Sequence, residues 1–249
     1  MSRISFLQDF YRYQDGQLVV TPEQGSRFAK TVAGDFNPIH DADSRRFCVP
    51  GDLLFALALD TWGASATMNF RFTGMVGGDA PVQFPADPGE QVAITDENGK
   101  SVVEIERSGE VIEDPAALES LIRSYVSFSG QNFPHVLVPL MREHQVMVNP
   151  KRPLVMYERM GFELPEPLAA ADARPEPRLR DAVMTVNGKR GEIRLDYELV
   201  TDDGAVVARG SKHLVLSGLR PFDEADVEQL VEDYEGWKAA WARAAPATV

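Results

Sequence analysis

Between Ala33 and Asp41 the chain reads A-G-D-F-N-P-I-H-D, which sets an acid, an amide and an imidazole around one glycine and one proline. Asp35 and His40 stand on either side of a bend constrained by Gly34 and Pro38, so both side chains can converge on one substrate atom. Histidine makes a general base near neutral pH with little tuning, because its reference pKa is about 6.5. A carboxylate beside it can fix its tautomer, support the imidazolium or transfer a proton itself. Asn37 is placed to tie the loop's backbone together or to orient a water. The plainer reading is that an aspartate before a turn and a histidine after it satisfy loop backbone groups. Chemistry and scaffold stand side by side at this point.

Shortly after this loop, Pro50-Gly51-Asp52 opens the run L-L-F-A-L-A-L-D-T-W-G, which is apolar on every side apart from Asp60 and Thr61. That pattern predicts a helix enclosed by other structure. Amides at a helix N-terminus carry partial positive charge, and Gly51, having no side chain, lets a ligand carbonyl approach closely. Other chemistries find less support. Asp35, His40, Asp41 and Asp43 offer oxygen and imidazole donors, but no second histidine sits at helical ligand spacing, so no metal is expected. Cys48, the one cysteine, has apolar neighbours and no adjacent histidine, which reads as a buried inert thiol. Gly74, Gly77 and Gly78 lack the third glycine and the strand-to-helix setting of a dinucleotide fingerprint.

The loop must be held by flanking elements. Thr21-Pro22-Glu23-Gln24 predicts a helix start with Thr21 as N-cap and Gln24 closing a capping box, the helix ending near Gly34. Alternation at Met68, Phe70 and Phe72 predicts a half-buried strand. Further strands are expected at Val92–Thr95 and Val102–Arg107, around a turn at Asp96-Glu97-Asn98-Gly99. Asp114-Pro115 starts a helix with its stripe at Leu118, Leu121, Ile122, Tyr125 and Val126. The segment Leu164–Arg180, rich in proline, alanine and charge, reads as an exposed loop. Strands follow around Ile193–Leu199 and Val206–Leu216. A last amphipathic helix carrying Val227, Leu230, Val231, Tyr234 and Trp241 is expected to pack on the outside.

The halves echo one another. G-D-F-N-P-I-H at Gly34–His40 and G-Q-N-F-P-H at Gly130–His135 each place glycine, asparagine, proline and histidine in a short loop after an amphipathic helix, but the second has no acid beside its glycine. Duplication followed by divergence and chance both account for this. His135, between Pro134 and Val136, reads as structural or pocket-lining.

The motif A-G-D-F-N-P-I-H, preceded by a capped helix and followed by a buried helix and strands, resembles the signature of the MaoC-like, or (R)-specific enoyl-CoA hydratase, branch of the hot dog superfamily. The resemblance implies an α+β hot dog fold, in which a central helix is wrapped by a curved antiparallel sheet. It implies reversible hydration of 2-enoyl thioesters, with Asp35 and His40 as the catalytic pair and the Gly51 amide polarising the thioester carbonyl. Substrate contacts are expected from Asn37, Gly51 and His135, and from Arg45 and Arg46 either as an ordinary surface pair or as a clamp for coenzyme A phosphates. The chain departs from the signature where His40 is followed by Asp41-Ala42-Asp43, displacing an acid by one position, and where Pro50 stands in place of the usual histidine. The whole chain also resembles an uncharacterised group of bacterial proteins sharing F-C-V-P-G-D-L-L-F-A and S-F-S-G-Q-N-F-P-H. A non-catalytic thioester- or metabolite-binding module and a thioesterase are the alternatives to the hydratase.

The layout expected is a double hot dog with a degenerate second half: an N-terminal unit over 1–113, a C-terminal unit over 114–220 and a terminal helix over 221–249. An acyl-CoA or acyl-carrier thioester is the expected partner, a homodimer the expected assembly, and no metal or redox cofactor is needed. The formal charge of −13 repels phosphate backbones and anionic lipid surfaces, which argues against nucleic acid and membrane partners. A lone cysteine excludes an intrachain disulfide framework. Met1–Gln14 lacks a signal-type apolar core and no run approaches the ~20 apolar residues of a membrane span, so a soluble, cytoplasmic protein is expected.

Overall fold

The computed structural model describes residues 3–165 and 174–244. A 3-10 turn at Ser5–Phe10 leads into the hairpin β1 (Arg12–Gln14) and β2 (Gln17–Val19). The expected capping box then starts α1 (Pro22–Phe28): the Gln24 amide donates to Thr21 Oγ1 and the Thr21 amide to Gln24 Oε1. The helix loosens into a π turn over Ala29–Ala33 and is closed by Gly34 at φ +66°, a left-handed cap that glycine adopts without penalty. After the candidate loop comes α2 (Gly51–Trp62). Its seven residues from Leu53 to Leu59 are all buried, as the sequence pattern requires. The two polar interruptions have structural work: Asp60 Oδ1 accepts the Arg3 and Ile4 amides, and Thr61 donates to Leu57 O.

Strands β3 (Ala64–Phe72), β4 (Val82–Gln83), β5 (Gln91–Asp96) and β6 (Ser101–Ile112) follow, and then α3 (Pro115–Ser127), capped by Asp114. The second half continues through α4 (Val138–Glu143), β7 (Val146–Met147), β8 (Val155–Glu163), β9 (Glu176–Asn187), β10 (Arg190–Val200), β11 (Val206–Ser217), β12 (Arg220–Pro221) and α5 (Glu224–Ala244). Ten strands form one sheet in the order β1-β2-β4-β5-β6-β3-β8-β11-β10-β9, every neighbouring pair antiparallel. Strand β3 pairs with β6 on one side and β8 on the other, which joins early and late parts of the chain without a break. An enclosed helix against a large antiparallel sheet is the α+β hot dog arrangement. Phe55 of α2 stacks on Tyr125 of α3, with centroids 4.2 Å apart, and Phe162 of β8 meets both edge-on.

Three expectations change. The stretch around Gly130–His135 is helical rather than a loop: a 3-10 turn at Ser129–Gln131 and a π turn at Phe133–Leu137 run into α4. Pro134 and Pro139 lie at the starts of the π turn and of α4, junctions where the hydrogen-bond pattern changes step. The loop expected over Leu164–Arg180 ends by Glu176, where β9 begins, while residues 166–173 of it lie outside the described residues. Strand β9 is the outermost strand, so Pro177 removes no ladder bond on its open side. Finally, α5 buries Val227, Leu230 and Tyr234 and forms a wall of the cavity described next, rather than resting outside.

Candidate functional site

Each residue of the Gly34–His40 bend has an identifiable task. Asp35 N donates to Ala29 O at 2.8 Å, finishing the π turn, and Asp35 Oδ1 accepts the Asn37 amide at 2.9 Å. Asn37 Oδ1 caps the short 3-10 turn Pro38–His40 through the Ile39 amide. Its Nδ2 donates to Val155 O on β8 at 2.9 Å, pinning the bend to the second half. The Cys48 amide returns to Ile39 O, which brings the Cys48 carbonyl under the imidazole. His40 Nδ1 lies 2.7 Å from that carbonyl. A carbonyl only accepts, so Nδ1 carries the proton and Nε2 of the neutral ring presents its lone pair.

His40 Nε2 stands 3.8 Å from Asp35 Oδ2. This is beyond a direct hydrogen bond, and one water oxygen set to the side of the pair is within reach of both. Burial raises the Asp35 pKa above its ordinary 3.8, a nearby Asp52 adds to this, and His40, the Asn37 amide and Lys212 oppose it. The cavity that Asp35 and His40 share has a volume of about 130 Å³ and apolar walls that include Leu54, Phe72, Val76, Leu137 and Leu230. Met75 and Trp237 line it while remaining 53% and 43% exposed, so they mark its mouth.

The sequence-predicted residues divide. Asp35, Asn37, His40 and Gly51 all line the cavity. The Asn37 amide, however, is engaged at both ends in holding the bend. A Cβ at Gly51 would lie 3.1 Å from two ring carbons of Phe72, so that ring fills the space beside the helix start. Arg45 and Arg46 are exposed and outside the lining, as is His135, whose π turn directs Val136 and Leu137 inward instead. Asp41, the displaced acid, pairs with Lys30 at 2.8 Å. Cys48 lines the cavity with its thiol pKa pushed up to about 11 by burial, which suits the expected inert thiol.

Sequence reasoning missed Ser129, Asn132, Tyr157, Tyr234 and Trp237, which complete the lining. The two echoing loops touch: a Cβ at Gly130 would fall 2.4 Å from Gly34 O and 2.5 Å from Ala33 O, so only glycine fits. Tyr234 bridges them, its hydroxyl 3.4 Å from Gly34 O and 3.3 Å from Gly130 O, and its ring packs against Phe36 and Phe133. Behind Ser129, Lys212 of β11 is wholly buried and paired with Asp52 at 3.1 Å.

With this geometry in place, comparison with known families is informative. A family model described as a protein of unknown function, DUF3581, matches residues 5–225. The chain belongs to this family. No curated protein matches it. Among solved structures it is similar to a conserved protein of unknown function with a hot dog fold from Alicyclobacillus acidocaldarius, at 8% identity and TM-score 0.45, covering 87% of this chain and 99% of that one. It is also similar to the acyl-CoA thioesterase II TesB2 from Mycobacterium marinum, at 10% identity and TM-score 0.39, covering 70% and 90%. A third similar structure is the dehydratase domain of PpsC from Mycobacterium tuberculosis in complex with C12:1-CoA, at 11% identity and TM-score 0.35, covering 84% and 88%. The matched span takes in both echoing segments and the sheet, while the lining residues Leu230, Tyr234 and Trp237 of α5 lie beyond it.

Proposed function

We propose that this DUF3581 protein adds water to, or removes it from, a 2-enoyl thioester, in the manner of the MaoC-like hydratases its loop resembles. One observation carries this reading: a carboxyl and a correctly tautomerised imidazole, 3.8 Å apart, in the wall of an apolar cavity. A water held between them donates one proton to His40 Nε2 as its oxygen bonds to the β-carbon. The π electrons of the double bond move toward the carbonyl, and the α-carbon takes a proton from Asp35. Proton return from the imidazolium to the Asp35 carboxylate restores the starting state. The raised pKa of Asp35 fits it for the proton-donating role.

The substrate is an acyl-CoA or acyl-carrier thioester, with the exposed Arg45 and Arg46 available to carrier phosphates. The cavity volume of about 130 Å³ makes short acyl groups the first substrates to test. Purified protein is incubated with crotonyl-, hexenoyl- and dodecenoyl-CoA and followed by loss of enoyl absorbance and by thiol release. Hydration of the shorter substrates, lowered about 10²–10⁴-fold by His40→Ala and by Asp35→Asn, supports the proposal. Thiol release without hydration replaces it with a thioesterase, and tight binding without product replaces it with a binding module.

A further inference from the structure

The helical segment around Gly130–His135 has no acid but carries an asparagine, and that asparagine is the anomaly of the cavity. Asn132 is 2% exposed and lines the cavity with Asp35 and His40. Neither its Nδ2 nor its Oδ1 makes a hydrogen bond of ordinary length and angle among the described residues, the Tyr157 phenol beside it being a weak partner. Buried amides are seldom left so, because each unmade bond carries the full desolvation penalty of its group. By contrast the corresponding Asn37 is engaged at both ends. Scaffolding therefore accounts for one asparagine and leaves the other without a task.

Its neighbours sharpen the point. Lys212 Nζ donates to Asp52 Oδ1 at 3.1 Å, to Tyr125 O at 3.2 Å and to Ser129 Oγ at 2.8 Å, which uses the three N–H bonds of an ammonium. Ser129 Oγ accepts there, so its own proton is directed away from Lys212. Tyr157 lines the same cavity, with its phenol close to both Ser129 and Asn132. Three donor groups thus gather at one end of the cavity, with a compensated cation behind them. Asp52 neutralises Lys212 at rest, so the cluster suits a neutral carbonyl better than a free carboxylate, yet opposes negative charge developing on oxygen less than water-excluded walls alone would. Beside the helix start at Gly51, the expected carbonyl site, the Phe72 ring takes the space a side chain would fill.

We propose that Asn132 Nδ2 binds the thioester carbonyl oxygen, with Ser129 and Tyr157 completing the donor cluster, so that the helical segment after α3 supplies the electrophilic site and the Gly34–His40 bend supplies proton transfer. This rests on the thioester reading above. Butyryl-CoA labelled with ¹³C at the carbonyl has no double bond to hydrate and serves as the probe, its carbonyl stretch read by difference infrared spectroscopy. The stretch is expected to move to lower wavenumber on wild-type protein and on His40→Ala, and to return to its solution value on Asn132→Ala and Asn132→Leu. Asn132→Leu, close in shape, is also expected to keep or raise the melting temperature, which an asparagine with a structural role would not permit. With crotonyl-CoA, Asn132→Ala is expected to lower kcat about 10²–10³-fold with a smaller effect on KM. A carbonyl shift that survives both Asn132 variants overturns the inference even if His40 proves essential for turnover. A shift that depends on Asn132 in a protein whose turnover ignores His40 and Asp35 upholds it and removes the hydration reading. Failure of butyryl-CoA to bind overturns both.

Discussion

The His40 ring is oriented by a backbone carbonyl and not by a carboxylate, so its tautomer survives replacement of Asp35. Asp35→Asn should therefore leave the imidazole in place while removing the proton donor. It should also change stability. A carboxyl whose native pKa is raised binds more protons in the native state than in the unfolded chain, between the ordinary 3.8 and the raised value. Its contribution to stability is fully present below that window and is lost as pH rises through it. Urea titrations from pH 4 to 8 should show wild type losing stability over the window, and Asp35→Asn losing less and standing more stable at neutral pH. The acid and the histidine were legible in the sequence because their residue types and spacing suffice to suggest proton transfer. Asn132 was not, since its significance lies in lacking a partner, and that is a property of three-dimensional surroundings. Tyr234 was hidden for another reason, being 200 residues from the glycine whose carbonyl it approaches.

Among the elements, α2, α3 and β11 meet at the Lys212–Asp52 pair. Removing one member leaves the other as an uncompensated buried charge, so Lys212→Ala should destabilise the protein by about 3–5 kcal/mol, and Lys212→Met combined with Asp52→Leu should recover much of that in chemical denaturation. Gly130→Ala drives a methyl group into the carbonyls of Ala33 and Gly34 and should cost about 1–3 kcal/mol in the same measurement. It should lower turnover as well, because the displaced backbone carries Asp35. The Thr21 box, the α3 stripe and the β5–β6 hairpin were readable, since local capping, periodicity and turn chemistry agree there with the tertiary fold. The helical run through Ser129–Glu143 was not, because its glycine and two prolines are loop residues by composition and become helix-compatible only at the junctions between its turns. The start of β9 was lost for the same kind of reason, as proline is permitted there by an open edge that the sequence does not reveal.

For the molecule as a whole, the sheet reads outward from its centre as β3-β6-β5-β4 on one side and β8-β11-β10-β9 on the other. Leaving aside the β1–β2 hairpin, which extends the first side beyond β4, each side presents its first, fourth, third and second strand in chain order. We take this matched order, with the touching loops at Gly34 and Gly130, as support for two duplicated halves near 1–113 and 114–220, with 221–249 as an appended helix. Strand β9 leaves an edge on which Leu179, Val183 and Val186 are exposed, so pairing with a second copy is the expected assembly. Sedimentation equilibrium should find a homodimer that Val183→Lys converts to monomer. The Tyr234 hydroxyl, finally, approaches the carbonyls of both loop glycines at once. Helix α5 thereby acts as a clasp on the candidate site: a proteolytic clip ahead of it should unfasten both glycine turns together while leaving Asp35 and His40 intact.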